Sequence, residues 1–210
     1  TRRSSDLFEN YKRDKLKNTK ADRFYYYQEL KEQDPEVVIS LMPRYLRDKN
    51  NLEYYSLSGI SNSKTINCNE NGYYSIYQSD RYGFNNPDTE WEKQEIEFFL
   101  IGDSFVHGDC VNEPYTISGN LRRLVDNKKK GVLNLGQSGN GPLTEYATLK
   151  EYFPKNKVNR ILWFYFENND LYELNSELNN KILNSYFKDK SFTQNLILNR
   201  KQVKKLLLNE

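Results

Sequence analysis

Residues 96–109 read IEFFLIGDSFVHGD, and this stretch decides the fold prediction. Five of the six residues from 96 to 101 are apolar, interrupted only by Glu97. Such a run predicts a strand buried on both faces, which is typical of a parallel sheet. It ends at Gly102, Asp103 and Ser104. These polar residues therefore lie at the carboxyl end of a core strand, where open α/β sheets bind their ligands.

Strand-like and helix-like segments alternate after this stretch. Short apolar runs at 132–135 and 158–166 predict two more strands, and residues 143–153 predict a helix between them. An earlier helix is predicted from apolar residues at helical spacing, namely Ile117, Leu121, Leu124 and Val125. This alternation predicts a three-layer α/β/α fold with a parallel, flavodoxin-like sheet and right-handed crossovers. About three strands leave one edge of the sheet in need of a partner.

The segments on either side of this core have different patterns. Residues after Asp170 are predicted to be helical to the end, with Phe192, Leu196, Val203 and Leu207 near one face of a last helix. Near the amino terminus, residues 34–36 (Asp-Pro-Glu) predict a helix start, and an apolar stripe follows until Pro43. Residues 51–91 predict an irregular, partly β region. We therefore divide the chain into a helical and irregular extension, 1–92, and an α/β domain, 93–210.

Composition limits the classes of function. The 210 residues carry 31 basic and 29 acidic side chains, a net charge of +2, which gives no electrostatic reason to expect a nucleic-acid partner. The mean hydropathy is −0.91. No apolar run approaches the roughly 20 residues of a transmembrane helix, so no membrane span is expected. No signal peptide is evident, and a first residue of Thr1 suggests a piece of a longer product.

The two cysteines, Cys68 and Cys110, are too few for a cysteine-based zinc site, which takes about four ligands. Cys110 follows the proposed site loop, and Cys68 lies in the irregular segment before it. A disulfide could join the two in an exported protein, and two free thiols fit the sequence equally well. No metal and no cofactor are expected.

Three motifs, each closing a predicted strand, together resemble the SGNH, or GDSL, hydrolases. The first is Gly-Asp-Ser at 102–104, the second is NLGQSGNGP at 134–142, and the third is ENNDL at 167–171. They occur in the family's order. The segment YGFNNP at 82–87 is similar to one that precedes the serine motif in a subset of bacterial GDSL-like proteins. The resemblance covers about residues 72–210 and implies the SGNH fold.

The resemblance also implies roles for particular residues. Ser104 would be the nucleophile, and its backbone N–H would contribute to an oxyanion hole. Gly139 would supply a second backbone donor, and Asn169 would supply a side-chain amide. The alternatives are ordinary structural roles: Ser104 could only cap a helix, and Gly139 could only form a turn. At position 168 the family commonly has glycine, where this chain has Asn168.

Three further residues are expected to support the site: Gly102, Asp103 and Asp170. Asp170 is expected to order the third loop, with surface ion pairing as its alternative. The family's last motif supplies an Asp and, three positions later, a His that activates the serine. This chain has one histidine, His107, at a position that the family does not use as the base. We interpret His107 as a site-edge or packing residue, so the segment lacks a complete triad and is expected to be inactive as numbered.

Three functions follow as hypotheses. The first is an SGNH-type serine esterase that acts on ester-linked acyl groups, with a small-molecule or carbohydrate ester as substrate. The second is an inactive SGNH-fold protein that binds carbohydrate or serves as a scaffold. The third is a flavodoxin-like nucleotide binder, which the lack of Gly-Lys-Ser/Thr and GxGxxG motifs disfavours. The family resemblance suggests the bacterial cell envelope or periplasm, and a cytoplasmic location remains open.

Overall fold

A computed structural model describes residues 20–49, 51–70, 72–125 and 127–209 of the chain. The protein has a mixed α/β fold, as predicted, and contains one sheet whose strands are all parallel. The α-helices are α1 (Lys20–Gln33), α2 (Ser104–His107), α3 (Ile117–Leu124), α4 (Pro142–Tyr152), α5 (Asp170–Glu177), α6 (Lys181–Lys188) and α7 (Arg200–Leu208). The strands are β1 (Val38–Ile39), β2 (Lys64–Ile66), β3 (Ile76–Gln78), β4 (Glu95–Ile101), β5 (Lys130–Asn134) and β6 (Lys157–Trp163). Two 3-10 helices cover Pro43–Leu46 and Asp88–Glu92.

The parallel sheet has the strand order β5-β4-β6, so the strand predicted first lies at its centre. Leu100 of β4 is level with Asn134 on one side and with Leu162 on the other. Phe99, Leu100 and Ile101 are fully buried, as expected for a strand covered on both faces. Strand β6 ends at Trp163, three residues before the predicted end at 166.

Helices cover both faces of this sheet. On one face, Leu100 and Val132 pack with Ile117 and Leu121 of α3. On the other face, Phe99, Ile101 and Leu133 belong to a cluster with apolar side chains of α4 and α6, which include Leu143, Ala147, Leu183 and Tyr186. The predicted apolar stripe of α3 was wrong at one position: Leu124 is 77% exposed because it lies in the last turn, on the solvent side.

The amino-terminal region differs from its prediction. Residues 34–36 end a helix instead of starting one, because Asp34 N–H donates to the Leu30 carbonyl at the end of α1 and its carboxylate accepts from Glu36 N–H. The β-branched residues that follow form β1. Strand β1 pairs parallel with β2, which pairs antiparallel with β3. Pro43 begins a 3-10 helix.

Side chains from both sides of residue 92 pack in one hydrophobic cluster. Tyr55, Leu57 and Phe84 share it with Phe99 and Leu133. The division into an extension and a domain at this residue stays a prediction. The contacts nevertheless place Tyr55, Leu57 and Phe84 in the same core as the parallel sheet.

The carboxyl-terminal segment contains three helices, and the prediction that Phe192 and Leu196 lie on the last of them was wrong. Phe192 and Leu196 precede α7 and do not lie on it. The carboxylate of Glu151 accepts hydrogen bonds from the backbone N–H groups of Gln194 and Leu196, at 2.6 and 2.9 Å. These bonds hold the segment against α4 in place of a helix. Within the described ranges, no helix combines the length and the apolar character needed to cross a membrane.

Candidate functional site

Ser104 lies where β4 turns into α2. It is the first residue of that helix and is half-buried. The preceding Asp103 caps the helix, because its carboxylate accepts a hydrogen bond of 3.0 Å from Phe105 N–H. Gly102 makes the turn possible, since a Cβ at this position would come within 2.5 Å of Val106 Cγ2. The local sequence therefore presents the serine at the carboxyl edge of the central strand.

The second motif lies directly against this helix. Leu135 N–H donates to the Leu100 carbonyl at 2.9 Å, so the chain continues alongside β4 beyond the end of β5. At Gly136 a Cβ would lie 2.5 Å from the backbone nitrogen of His107, which shows how closely the loop approaches α2. The loop after β5 and the helix that begins with Ser104 therefore share one edge of the sheet.

Gly139 has a backbone conformation that requires glycine. Its φ angle is +74°, in the left-handed region. A Cβ there would also come within 2.2 Å of Arg44 Cδ. On the other side of the residue, Arg47 Nη2 donates a hydrogen bond of 2.7 Å to the Gly139 carbonyl. The amino-terminal region thus fixes the backbone of the second motif.

The third motif reaches the same place from β6. Asn169 Nδ2 donates to Asp103 Oδ2 at 3.3 Å, which joins the third motif to the residue before Ser104. Asp170 Oδ2 accepts from Phe166 N–H at 2.7 Å and so closes the loop between β6 and α5. Burial raises the pKa of Asp170 above its usual value. The three sequence motifs therefore meet at one edge of the sheet.

Most of the groups to which the resemblance assigns a role in acyl transfer make no hydrogen bond among the described residues. Among the hydrogen bonds between described residues, none involves Ser104 Oγ, and none is donated by the backbone N–H of Ser104 or of Gly139. An oxyanion hole requires donors that are not already bonded within the protein. No hydrogen bond in the described part of the chain activates the hydroxyl.

Among the described residues, the His107 side chain makes no hydrogen bond to Ser104. Its ring is 1% exposed, and Nδ1 lies 2.6 Å from Asp109 Oδ1. The ring also makes an edge contact with Tyr77, with the two centroids 5.3 Å apart. These contacts are those of a packing residue at the side of the site.

Asp109 links three parts of the molecule. Besides His107, it accepts hydrogen bonds from Asn67 at 2.9 Å and from the hydroxyl of Ser138. Burial favours the neutral acid, but these donors outweigh it and hold the pKa of Asp109 below its usual value. The adjacent Cys110 forms a disulfide with Cys68, which decides between the two alternatives left by the sequence.

Glu145, in the first turn of α4, is the most strongly perturbed carboxyl beside the site. It is 1% exposed, and Oε2 accepts a hydrogen bond of 2.6 Å from Trp163 Nε1. Burial, together with the nearby carboxylates of Asp170, Glu177 and Asp103, raises the pKa of Glu145 to about 8. The neutral acid therefore predominates at neutral pH.

Several buried polar atoms around these loops lack a hydrogen-bond partner among the residues described. They are Arg47 Nε, Asn67 Oδ1, His107 Nε2, Gln137 Nε2, both amide atoms of Asn140, Glu145 Oε1, Asn169 Oδ1 and Asp170 Oδ1. Exposed aromatic rings lie next to them, including Phe105 and Phe166, whose centroids are 5.2 Å apart. Buried polar atoms normally find a partner, so this edge is suited to a polar ligand.

Sequence reasoning missed four residues that shape the site: Arg47, Asp109, Ser138 and Glu145. Glu145 could have been noticed, since an acid in the first turn after a Gly-Pro pair lies near a loop. Nothing in the sequence indicates that Arg47 reaches Gly139, because 92 residues separate them. No group of three or more His, Cys, Asp or Glu side chains that could hold a metal ion is found among the described residues.

The sequence matches no protein-family model, and comparisons with curated proteins and with solved structures gave no match. The similarity to SGNH hydrolases therefore rests on the three motifs. Any role for these residues must be argued from their geometry.

Proposed function

We propose that this chain carries the nucleophile and oxyanion hole of an SGNH-type serine esterase that acts on ester-linked acyl groups. One observation carries the proposal: the three motifs converge on one edge of the sheet, with Asn169 bonded to the Asp103 side chain beside Ser104. The three motifs are far apart in sequence, and together they supply a serine hydroxyl and backbone donors that make no hydrogen bond among the described residues. This arrangement is expected of acyl transfer.

In the proposed reaction, Ser104 Oγ attacks the ester carbonyl carbon while a general base takes the hydroxyl proton. The negative charge on the carbonyl oxygen is stabilised by the N–H groups of Ser104 and Gly139 and by the Asn169 amide. Collapse breaks the ester C–O bond, and the base returns its proton to the leaving alcohol. Water then attacks the acyl-enzyme by the same steps in reverse and releases the acid.

The types of donor suit this task. A side-chain amide such as that of Asn169 donates without carrying a charge, so it does not need a counter-ion in the buried site. Each donor of this kind typically contributes about 100- to 1,000-fold in kcat. We propose a histidine base from outside these 210 residues, since the Nδ1 atom of the one histidine lies against Asp109 and none of its hydrogen bonds among the described residues reaches Ser104.

The surroundings favour an ester that combines polar and apolar groups. Phe105 and Phe166 expose aromatic rings beside Ser104, while Asn140 and Glu145 offer buried polar atoms. Binding sites for small molecules often combine an apolar wall with a few polar contacts. We therefore propose a small acyl group on a hydroxylated acceptor such as a carbohydrate.

The test compares Ser104→Ala with Ser185→Ala in the full-length protein that contains this sequence. Ser185 is a suitable control because, in the part of the chain that the structure describes, its hydroxyl bonds only to the Lys181 carbonyl within α6. We expect Ser104→Ala to abolish hydrolysis of p-nitrophenyl acetate and of acetylated oligosaccharides, and Ser185→Ala to retain it. Equal turnover in the two variants would refute the esterase.

A second function is favoured by the position of His107, whose buried ring leaves Ser104 with no base among the described residues. The same edge of the sheet could bind a carbohydrate without cleaving it. Saturable binding of a glycan, unchanged by Ser104→Ala and accompanied by no turnover, would support this function. Formation of an acyl-enzyme at Ser104 would exclude it.

A further inference from the structure

We infer that Arg47 is a positioning residue that fixes the spacing between the backbone of Gly139 and the amide of Asn169. The inference rests on the proposed function, since it concerns two of the proposed oxyanion donors, the Gly139 N–H and the Asn169 amide. It adds a residue from the amino-terminal region, which the sequence motifs did not include. Arg47 is not expected to touch the substrate.

The first half of this arrangement is the hold on Gly139. Arg47 Nη2 donates to the Gly139 carbonyl at 2.7 Å, and the Arg44 side chain lies over the Gly139 α-carbon. On the preceding residue, the Ser138 hydroxyl is bonded to Asp109. The Gly139 carbonyl and the Ser138 side chain are thus both held, which restricts the direction of the Gly139 N–H between them.

The second half is the hold on α5. Arg47 Nη1 forms an ion pair with Glu173, and the Glu173 N–H donates to the Asn169 carbonyl at 2.8 Å. One turn further along the helix, the Glu177 carboxylate lies 3.7 Å from Arg47 Nη2. Glu177 also accepts from Gly141 N–H at 2.7 Å. One guanidinium therefore joins the Gly139 loop to the helix that begins after Asn169.

Arg47 is itself held in place. Its side chain is 7% exposed, and its carbonyl accepts a hydrogen bond of 2.8 Å from Asn180 Nδ2. A guanidinium suits this position because its donors form a planar fork that can reach a carbonyl and a carboxylate at once. An ammonium group at the end of a lysine keeps the charge but lacks the fixed fork.

The experiment compares Arg47→Lys with Arg81→Lys in the full-length protein. Arg81 is a matched control, since it also pairs with two carboxylates, Asp88 and Glu92, but bonds to none of the three motifs. We expect Arg47→Lys to lower kcat for p-nitrophenyl acetate about 10- to 100-fold with little change in KM, because misplaced donors act on the transition state. Affinity for a boronic-acid analogue of the tetrahedral state should fall by a similar factor. Arg81→Lys should change neither.

A second variant covers the case in which Arg47→Lys does not fold. Glu173→Gln keeps a hydrogen-bond acceptor for Arg47 and removes the charge, while Glu177 remains as a counter-ion. We expect a several-fold loss of kcat with KM retained. Suppose that Arg47→Lys or Glu173→Gln folds and keeps the wild-type kcat and boronate affinity. That result would overturn the inference about Arg47 and leave the proposed function standing. If the wild-type protein shows no ester hydrolysis, or if its hydrolysis does not depend on Ser104, both the proposed function and this inference are overturned.

Discussion

The two sides of the candidate site differ in the contacts that their side chains make. On the amino-terminal flank, which we define as Arg44, Arg47, Asn67, Asp109 and Ser138, side chains cross-link the motif loops through hydrogen bonds and ion pairs. The β6 flank, which we define as Asn140, Glu145, Trp163, Tyr165, Phe166 and Asp170, combines unpartnered polar atoms with exposed aromatic rings. Arg47 Nε and Asn67 Oδ1 also lack a partner among the described residues, so the two flanks differ in their cross-links and in their exposed rings.

This difference separates two tasks of the site. The amino-terminal flank fixes the backbone around Gly139 before any ligand arrives, which is the preorganisation that electrostatic catalysis needs. The β6 flank leaves acceptors and apolar surface for a ligand. Substitutions should therefore cost stability on the first flank, and should alter ligand binding or pH dependence on the second.

The largest loss of stability is expected for Glu177→Ala. This change removes the acceptor for the Gly141 and Leu143 N–H groups and deprives buried Arg47 of one counter-ion. We expect the free energy of unfolding in urea to fall by about 3–5 kcal/mol. The control Glu92→Ala, at an exposed ion pair with Arg81, should cost about 0–1 kcal/mol. Equal effects would show that Glu177 does not couple Arg47 to the backbone of residues 141–143.

Loss of the disulfide should have the next largest effect. Cys68 and Cys110 are 42 residues apart in sequence and tie the segment that follows β2 to the loop that carries Asp109. Cys68→Ser together with Cys110→Ser should lower the free energy of unfolding by about 2–4 kcal/mol. Reductant should destabilise the wild-type protein and leave the double variant unaffected. A wild-type transition that does not respond to reductant would contradict this expectation.

On the β6 flank, Glu145 should make stability depend on pH. Its pKa is raised to about 8 in the folded protein from 4.5, so its contribution is fully present below pH 4.5 and is lost as pH rises through 8. We expect Glu145→Gln to abolish a loss of roughly 2 kcal/mol between pH 6 and pH 8. Asp88→Asn, at the exposed Arg81 pair, is the control. Unfolding curves with the same pH dependence in wild type and Glu145→Gln would refute the assignment.

The smallest effect on stability is expected for Tyr165→Ser. Tyr165 is 55% exposed, so the free energy of unfolding should stay within about 0.5 kcal/mol of the wild-type value. Phe99→Ala, in the fully buried centre of the sheet, should cost about 3–5 kcal/mol. A large destabilisation by Tyr165→Ser would mean that the β6 flank is part of the core.

The sequence predicted the part of the fold that depends on local pattern. The run from 96 to 101 identified the central strand, and the polar residues at 102–104 located the edge where the motifs meet. The Asp-Pro-Glu segment at 34–36 was misread because the same residues cap helices and make turns, and pairing with β2 decided between them. Apolar residues at helical spacing continued through 192–196. This segment is not helical, because the Glu151 carboxylate accepts hydrogen bonds from its backbone N–H groups.

The amino-terminal flank could not be predicted from the motifs. Arg47 and Asn67 act on Gly139 and Asp109 across 92 and 42 residues of sequence. A single arginine or asparagine carries no sequence signal for such a contact. The motifs predicted which loops form the site, and tertiary packing determined what holds them.

The most direct test of the proposed esterase is to locate a covalent adduct after treating the full-length protein with diethyl p-nitrophenyl phosphate. Peptide mapping by mass spectrometry would identify the modified residue. We expect a diethyl phosphoryl group on Ser104, no adduct in Ser104→Ala, and loss of ester hydrolysis in proportion to labelling. Ester hydrolysis that persists while Ser104 stays unmodified would contradict the assignment of this serine as the nucleophile.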